Sequence, residues 1–197
     1  MSEAPVRVAV IVGSVRGGRF GPVVANWFAE TASAHSGFDV DLVDLAEVDL
    51  PLAFPDFGAS PPAEVAAEVA KLTPRLAAAD AFVVITPEYN HSYPASLKNA
   101  IDWHHAEWQA KPVAFVSYGG RSGGLRSVEH LRPVFAELHA VTIRETVSFH
   151  GTRTRFGSDG RPMDAEVVEA AAKSLLDQLE WWARSLSEAR IKRPYLV

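Results

Sequence analysis

The sequence contains no cysteine among its 197 residues. This absence excludes disulfide bonds, thiolate nucleophiles and thiolate metal sites, so any redox activity would reside in a bound cofactor. The chain also lacks a run of about 20 apolar residues, which a membrane span requires. Its first five residues, MSEAP, do not have the basic-then-apolar layout of a signal peptide. We therefore predict a cytoplasmic protein that has no membrane partner.

Neither sign of charge dominates the sequence. It has 24 acidic and 19 basic residues, a net charge of -5, and no basic patch that is dense enough to predict nucleic-acid binding. Hydrophobic residues make up 48% of the chain, so it can bury a substantial core. The length suits one domain over residues 1–197.

Short apolar runs alternate with segments of helical spacing along the chain. The runs cover residues 6–12, 39–45, 81–86, 112–118 and 141–149, and the helical segments cover residues 21–35, 61–79, 95–108, 124–139 and 164–189. Such alternation predicts parallel βαβ units. Five strands and five helices match the flavodoxin-like fold class, a three-layer α/β sandwich with a five-stranded parallel sheet between helices. Right-handed connections would place every strand-to-helix loop at one edge of the sheet.

Prolines set the expected limits of the second helical segment. Ser60 is a suitable N-cap for a helix with Pro61 at its first position, where the missing amide hydrogen costs nothing. Pro74 lies inside the same segment, and we expect it to kink or break the helix near Thr73. The second helix is therefore expected to start at Pro61 and to be disturbed before its end.

A glycine-rich loop, Gly13 to Gly21, follows the first predicted strand. The hydroxyl of Ser14, backbone amides at a helix N-terminus and the guanidinium groups of Arg16 and Arg19 are suited to holding a phosphate. The loop lacks the Gly-Lys-Ser/Thr ending of a P-loop and the Gly-x-Gly-x-x-Gly spacing of a dinucleotide fingerprint. Taken alone, it is equally compatible with a tight turn that carries two solvated arginines.

Two further loops at the same predicted edge are rich in aromatic residues and glycines. Residues 86–94 follow the third strand and include two tyrosines and two prolines, and residues 117–124 follow the fourth and include four glycines. Glycine backbone can approach a ligand closely, and a stiff aromatic loop suits a planar ring. Three such loops predict a site for a phosphorylated aromatic cofactor, whereas Tyr89, Tyr93 and Tyr118 alone would indicate only a half-buried aromatic rim.

Four sequence blocks together point to one protein family. The blocks are Gly13-Ser14-x-Arg16, Thr86-Pro87-Glu88-Tyr89-Asn90, Leu97-Lys98-Asn99-Ala100-Ile101-Asp102 and the loop from Gly119 to Gly124. In order and spacing they resemble the NADPH-dependent FMN reductase family, whose members are flavodoxin-like and include azo-dye and quinone reductases. The resemblance covers nearly the whole chain. It departs at residues 17–20, Gly-Gly-Arg-Phe, where many members have serine or asparagine.

The resemblance implies an FMN site that is made by three loops. The phosphate is expected at Ser14, Arg16, Arg19, Phe20 and Gly21. The isoalloxazine ring is expected beside Pro87, Glu88, Tyr89 and Asn90 on one side and Tyr118, Gly119 and Gly120 on the other. No side chain is expected to be catalytic, because the bound flavin carries the chemistry.

The activity that the resemblance implies is that of an NAD(P)H oxidoreductase. Hydride would pass from NADPH or NADH to FMN, and electrons would then pass to a quinone, an azo compound, free flavin or a metal oxyanion in a ping-pong sequence. Two alternatives stay open, a flavodoxin-type electron carrier and a flavin- or nucleotide-binding regulator without turnover. Arg16, Arg19, Arg121 and Arg126 argue against a carrier, since carriers present a strongly acidic face.

Adjacent histidines and several tryptophans are the remaining candidates. His104 and His105 do not have the i, i+4 spacing of helical zinc ligands, so no metal site is predicted. We expect His104 and Trp108 to lie at the rim of the site or in a subunit contact. The loop from Leu50 to Ser60 and the helix with Trp103 and Trp108 would offer apolar surface for a homodimer or a homotetramer.

Overall fold

Strands and helices alternate in the computed structural model, which describes residues 4–35 and 37–196. The strands are β1 (Val6–Val12), β2 (Phe38–Asp44), β3 (Ala81–Pro87), β4 (Pro112–Gly119) and β5 (Val141–His150). The α-helices are α1 (Gly21–Ala34), α2 (Ala63–Ala78), α3 (Ala95–Asp102), α4 (Leu125–Glu137) and α5 (Ala165–Lys192). The predicted order of elements is therefore confirmed.

Every strand pair of the sheet is parallel, and the strand order is β2-β1-β3-β4-β5. This is the flavodoxin order, in which ligands bind outside the carboxyl ends of the strands, near the point where the order reverses. β3 is buried over its whole length, and β4 is buried up to its last residue, as expected for a sheet that is covered on both faces. The predicted flavodoxin-like α/β class is confirmed.

Alternate side chains of β1 enter two cores, one on each face of the sheet. Val8, Val10 and Val12 belong to the core beneath α1 and α5, whereas Ala9 and Ile11 belong to the core beneath α2, α3 and α4. This division follows from the two-residue period of a strand. Because both cores pack against the same strands, the carboxyl ends of the strands are held in fixed relative positions.

The second helix begins later than predicted. α2 starts at Ala63, and Pro62 occupies its N-cap position in an extended conformation, with φ −51° and ψ 151°. Pro61 precedes another proline, and the residue before a proline avoids the α region for steric reasons. The predicted start at Pro61 with Ser60 as its cap is therefore wrong.

The same helix is not broken by its internal proline. α2 stays helical through Pro74 to Ala78. Leu72 and Leu76, on either side of the proline, are both buried in the core. Their packing compensates for the backbone hydrogen bond that proline cannot donate. The predicted break near Thr73 is therefore wrong.

The third helix is shorter than predicted, because it ends at Asp102 and a short 3-10 turn follows at Ala106–Trp108. Trp108 is only 2% exposed. Its ring packs against Phe82 and Phe135, with ring centroids 4.7 and 5.4 Å away. Trp108 is therefore a core residue, and its predicted place at the rim or in a subunit contact is wrong.

His104 is also buried, with 3% of its surface exposed. Its Nδ1 atom lies 2.8 Å from the carbonyl oxygen of Ala100, and its Nε2 atom lies 3.0 Å from the hydroxyl oxygen of Thr73. Both ring nitrogens thus have partners inside the protein, as buried polar atoms require. His104 joins α3 to α2, so its predicted place at the rim is wrong as well.

Within residues 4–35 and 37–196, no helix combines the length and the apolar character that crossing a bilayer requires. The same residues contain no group of three His, Asp or Glu side chains placed to hold a metal ion. The longest helix, α5, has 28 residues, but charged residues recur along it. It packs chiefly against β5 and β4.

Candidate functional site

Loops at the carboxyl ends of four strands enclose a cleft of about 530 Å³. We name them the β1 loop (residues 13–20), the β3 loop (88–94), the β4 loop (120–124) and the β5 loop (151–164). Small-molecule sites typically have volumes of about 300–1,000 Å³. The lining residues are Arg16, Gly17, Gly18, Arg19, Phe20, Pro87, Glu88, Tyr89, Tyr118, Gly119, Gly120, Gly151, Thr152, Arg153 and Thr154.

The hydroxyl of Ser14 is directed into the protein rather than into the cleft. The side chain is fully buried, and its Oγ atom lies 3.1 Å from the hydroxyl oxygen of Tyr118. Gly21 lies directly against this pair, since a Cβ atom on it would be 2.6 Å from Ser14 Oγ and 2.9 Å from the Tyr118 hydroxyl oxygen. Ser14 and Gly21 therefore shape the floor beneath the cleft.

Arg19 is held by an acidic residue at the end of β2. Its Nη1 and Nη2 atoms donate to the two carboxylate oxygens of Asp44 at 2.6 Å each, and Nη1 also donates to the carbonyl oxygen of Ser14 at 2.7 Å. The side chains of Arg19 and Asp44 are only 17% and 20% exposed. The hydrogen bond to Asp44 raises the pKa of Arg19 above its usual value. Arg19 thus braces the β1 loop, and Asp44 neutralises its charge.

The start of α1 adjoins the cleft and leaves one backbone donor, the amide of Gly21. Phe20 occupies the N-cap position, and its side chain makes no capping hydrogen bond. The first amides of a helix carry the positive end of its dipole and form a natural anion site, but here Pro22 has no amide hydrogen and the Val23 amide donates to the Phe20 carbonyl at 3.1 Å. Arg16 is exposed in the adjoining turn, which is closed by a hydrogen bond from the Arg19 amide to the Arg16 carbonyl. This end of the cleft suits a phosphate group.

A tight turn presents Tyr89 to the cleft. The amides and carbonyls of Tyr89 and Ser92 exchange two hydrogen bonds, 2.8 and 3.1 Å long. The two central residues, Asn90 and His91, have φ values of 50° and 76°. Positive φ at both positions defines the type I′ turn, and asparagine tolerates this conformation well. Asn90 is exposed at the turn and does not line the cleft.

The start of α4 fixes the β3 loop. The buried hydroxyl of Ser127 donates to the carbonyl oxygen of Pro87 at 2.7 Å, and Arg126 donates to the Glu88 carboxylate at 2.9 Å. Burial alone would raise the pKa of Glu88, but hydrogen bonds from Ser122 and Arg126 outweigh it and lower that pKa. Glu88 is therefore an ionised anchor at neutral pH, and Arg126 balances its charge.

Glycines let the β4 loop fold tightly against the sheet. Gly123 and Gly124 have φ values of +60° and +85°, and a Cβ atom on them would lie 2.6 and 2.7 Å from neighbouring atoms. The hydroxyls of Ser117 and Ser148 both donate to the Gly123 carbonyl, at 2.9 and 2.8 Å. A Cβ atom on Gly120 would meet nothing within 4 Å, so this residue faces open space.

Tyr118 forms the back wall of the cleft at the end of β4. It is 5% exposed. Burial raises the pKa of Tyr118 to about 12, and its hydrogen bond with Ser14 opposes this effect only in part. The hydroxyl is therefore protonated at neutral pH, and it cannot act as a base there. Tyr118 therefore has a positioning role in the site.

The β5 loop completes the cleft, although it was not among the three loops predicted to form the site. The amide of Gly151 donates to the Gly120 carbonyl at 2.8 Å, and the hydroxyl of Thr152 donates to the Gly119 carbonyl at 2.9 Å. These bonds place Arg153 at the cleft. The available signal was topological, because β5 ends at the same edge of the sheet as the other strands.

The structure brings most of the predicted cofactor residues together in one cleft. Those that line it are Arg16, Arg19, Phe20, Pro87, Glu88, Tyr89, Tyr118, Gly119 and Gly120. Ser14, Gly21 and Asn90 do not line it. The cleft offers cation and amide donors at its β1 end and tyrosine, proline and glycine backbone opposite, a donor set that fits the phosphate and the planar ring of FMN.

Comparison with known proteins agrees with this geometry. Residues 6–154 match the family described as NADPH-dependent FMN reductase. An NAD(P)H-dependent FMN reductase of Schizosaccharomyces pombe is 41% identical over 122 residues, and this alignment spans 60% of this chain and 60% of that relative. A probable NADPH:quinone oxidoreductase of Oryza sativa is 35% identical over 182 residues, which are 89% of this chain and 88% of that relative.

A solved structure is similar over nearly the same length. The flavoenzyme NAD(P)H:(acceptor) oxidoreductase FerB from Paracoccus denitrificans superposes with a TM-score of 0.71 at 27% sequence identity, and the superposition covers 89% of this chain and 98% of that chain. The family match and the long alignment with the rice relative lead to one conclusion. The chain belongs to the NADPH-dependent FMN reductase family.

Proposed function

We propose that this protein is an FMN-dependent NAD(P)H oxidoreductase that works by a ping-pong sequence on a small acceptor, with a quinone as the first candidate. The observation that carries the proposal is the cleft at the carboxyl edge of the sheet, which joins an anion site to an aromatic and glycine-lined wall. The rice relative is named for NADPH and quinone. When bound, FMN would supply the hydride and electron transfer between the nicotinamide and the acceptor.

The phosphate end of the site would be formed by Arg16, by the amides of Gly17 and Gly18 in the β1 loop, and by the Gly21 amide at the start of α1. Charge-assisted hydrogen bonds of this kind are the strong ones in phosphate recognition. Arg19 supports them indirectly, because its bonds to Asp44 and to the Ser14 carbonyl hold the β1 loop in shape. Phe20 closes this end by packing edge-on against Phe156, with ring centroids 5.3 Å apart.

The ring end of the site would be formed by Pro87, Tyr89 and Tyr118 together with the glycine backbone of the β4 loop. The amides of Glu88 and of residues 119–120 would donate to the polar edge of the ring, since the Tyr89 amide is already bonded to the Ser92 carbonyl at 2.8 Å. A set of fixed amides stabilises developing negative charge without any proton transfer from a side chain. Tyr118 keeps its proton at neutral pH, so it positions the ring and does not exchange protons.

A flavodoxin-type electron carrier is the second candidate, since the strand order is the same. Such carriers present an acidic face around the flavin. Here Arg16 and Arg153 line the cleft, and the one carboxylate in its lining, that of Glu88, is paired with Arg126. This excess of positive charge in the cleft favours the binding of anionic small molecules. We therefore prefer the enzyme to the electron carrier. A regulator without turnover would bind flavin, but NADPH would not reduce that flavin.

Exposed apolar side chains support the proposal of a homodimer or a homotetramer. Leu52, Phe54 and Phe57 are 78%, 48% and 109% exposed, and the Phe54 ring stacks on Trp103 at 4.7 Å. Such side chains in one loop are typical of a covered surface. Sedimentation at micromolar concentration would show a dimer or a tetramer, and a monomer would overturn this part. A cytoplasmic location and a single domain over residues 1–197 stay predictions from the sequence.

Two measurements test the proposed function. Flavin released by denaturing the purified protein should be FMN, and FAD would contradict the phosphate site at the start of α1. Initial rates with NADPH and a quinone should give parallel double-reciprocal lines, as a ping-pong sequence requires. Intersecting lines would indicate that both substrates bind together, which would overturn the ping-pong part of the proposal.

A further inference from the structure

We propose that Arg153 is a phosphate-binding residue of the cleft, which contacts the FMN phosphate from the side opposite the β1 loop. This inference rests on the proposed FMN site and adds a residue that neither the β1 loop motif nor the resemblance contains.

The charge balance of the cleft leaves two arginines uncompensated. The charged residues that line the cleft are Arg16, Arg19, Glu88 and Arg153. Arg19 is paired with Asp44, and Glu88 is paired with Arg126. Across residues 4–35 and 37–196, the guanidinium groups of Arg16 and Arg153 have neither a hydrogen bond nor an ion pair. A phosphate monoester carries about −1.5 to −2 charges at pH 7, so these two cations match it.

The backbone beneath Arg153 is held firmly. The hydroxyl of Thr152 donates to the carbonyls of Gly119 and Phe149, at 2.9 and 3.1 Å, and Thr154 donates to the Gly151 carbonyl at 2.9 Å. Both threonine hydroxyls are therefore used within the protein. Of the polar side chains in this turn, that of Arg153 is the one left available to a ligand. Because the turn is already ordered, binding a ligand there would cost little conformational entropy.

The β5 loop lies next to the phosphate end of the cleft. Phe156 of this loop packs against Phe20, the N-cap residue of α1, with ring centroids 5.3 Å apart. Phe156 also packs against Trp27 of α1, at 6.4 Å. These contacts bring the β5 loop beside the start of α1, while Gly151 and Thr152 bond to the β4 glycines. Arg153 therefore belongs to a loop that joins the glycine wall to the start of α1, and from there its long side chain can reach a phosphate held by the β1 loop.

The same chemistry would also suit a phosphate of the nicotinamide donor, so the test separates the two sources. Apoprotein is titrated with FMN and with riboflavin, which lacks the phosphate, for wild type, Arg153→Gln, Arg153→Lys and Arg144→Gln. Arg144 is an exposed arginine of β5 outside the cleft, with 85% of its side chain exposed, and serves as the matched charge control. Steady-state KM values for NADPH and NADH are measured for the same proteins.

We expect Arg153→Gln to raise the Kd for FMN about tenfold or more, as loss of one charge-assisted bond implies, and to leave riboflavin binding unchanged. Arg153→Lys should keep most of the FMN affinity, and Arg144→Gln should match wild type. Equal losses for FMN and riboflavin would overturn the inference. A raised KM for NADPH with unchanged FMN affinity would overturn it too, because the phosphate would then belong to the donor. Failure of wild type to bind FMN would instead refute the proposed function.

Discussion

Arg19 and Asp44 face each other across the end of the sheet and form two parallel hydrogen bonds of 2.6 Å. Arg19 belongs to the loop after β1, and Asp44 is the last residue of β2, the strand next to it. A bidentate pair between an arginine and a carboxylate stabilises the contact and also fixes the relative orientation of the two side chains. The β1 loop is therefore braced by a side chain that its own motif does not contain.

Asp44→Asn should destabilise the protein and weaken FMN binding. The change leaves Arg19 largely buried without a counter-charge, and the β1 loop loses its brace. We expect a loss of about 1–3 kcal/mol in the free energy of unfolding. Urea denaturation and FMN titration would measure the two effects. Asp41→Asn is the control, since its pair with Arg75 is more exposed, and a change of at most about 1 kcal/mol is expected there.

The effect of Asp44→Asn should depend on pH. Burial alone would raise the pKa of Asp44, but hydrogen bonds from Arg19 and the Ala46 amide outweigh it and lower that pKa. A carboxylate whose pKa is lower in the folded state contributes stability above its unfolded pKa of about 3.9. That contribution disappears as the pH falls through the folded pKa. The stability difference between wild type and variant should therefore shrink below about pH 4, and a constant difference would contradict this assignment.

Ser14 and Tyr118 should behave as a pair in a double-mutant cycle. Either Ser14→Ala or Tyr118→Phe leaves one buried hydroxyl without its partner, at a cost of about 1–3 kcal/mol in the free energy of unfolding. The double variant removes both hydroxyls and should cost less than the sum of the two single changes. Thermal or urea unfolding of the four proteins gives the coupling energy. Additive losses would show that the 3.1 Å contact contributes nothing.

Gly21→Ala should disturb the floor of the site far more than Gly17→Ala. A Cβ atom on Gly21 would lie 2.6 Å from Ser14 Oγ, whereas a Cβ atom on Gly17 would meet nothing within 4 Å. Overpacking of this kind typically costs about 1–3 kcal/mol. We expect Gly21→Ala to lower both stability and FMN affinity, and Gly17→Ala to fold with nearly wild-type stability. Equal stability and equal FMN affinity of the two variants would contradict the close packing around Ser14.

Tyr89 should act through its ring rather than through its hydroxyl. It lines the cleft from a type I′ turn, and a fixed aromatic side chain at this place packs against the bound ligand. Tyr89→Phe should therefore change the rate of flavin reduction by NADPH only slightly, whereas Tyr89→Ala should loosen FMN or slow turnover. Stopped-flow absorbance across pH compares them. A loss of a hundredfold or more in Tyr89→Phe, about 2.7 kcal/mol of barrier, would show that the hydroxyl takes part in the chemistry.

The fold was predictable because its signals are local. Apolar runs such as residues 81–86 and 112–118 identify buried parallel strands, and the loops that follow them meet at one edge by topology alone. The helix limits were less predictable. Local proline rules missed the extended conformation of Pro62 at the N-cap of α2, and they missed the core packing that keeps α2 continuous through Pro74.

Side-chain pairing within the site was not predictable, because it joins residues that are distant in sequence. Ser14 and Tyr118 are 104 residues apart, and Arg19 and Asp44 are 25 apart. Nothing local to Ser14 shows that its hydroxyl is directed toward Tyr118 instead of a phosphate. Arg153 was not predicted for a related reason. Hydrogen bonds between the β4 and β5 loops, which are distant in sequence, place it at the cleft.

Anaerobic mixing of the purified wild-type protein with NADPH in a stopped-flow spectrophotometer tests most directly whether the cleft holds a reducible flavin. We expect a visible flavin spectrum that bleaches in a single turnover without any partner protein and returns when a quinone is added. A colourless protein that takes up no FMN would contradict the cofactor site. A flavin spectrum that persists with both NADPH and NADH would contradict the oxidoreductase and leave a carrier or a regulator in its place.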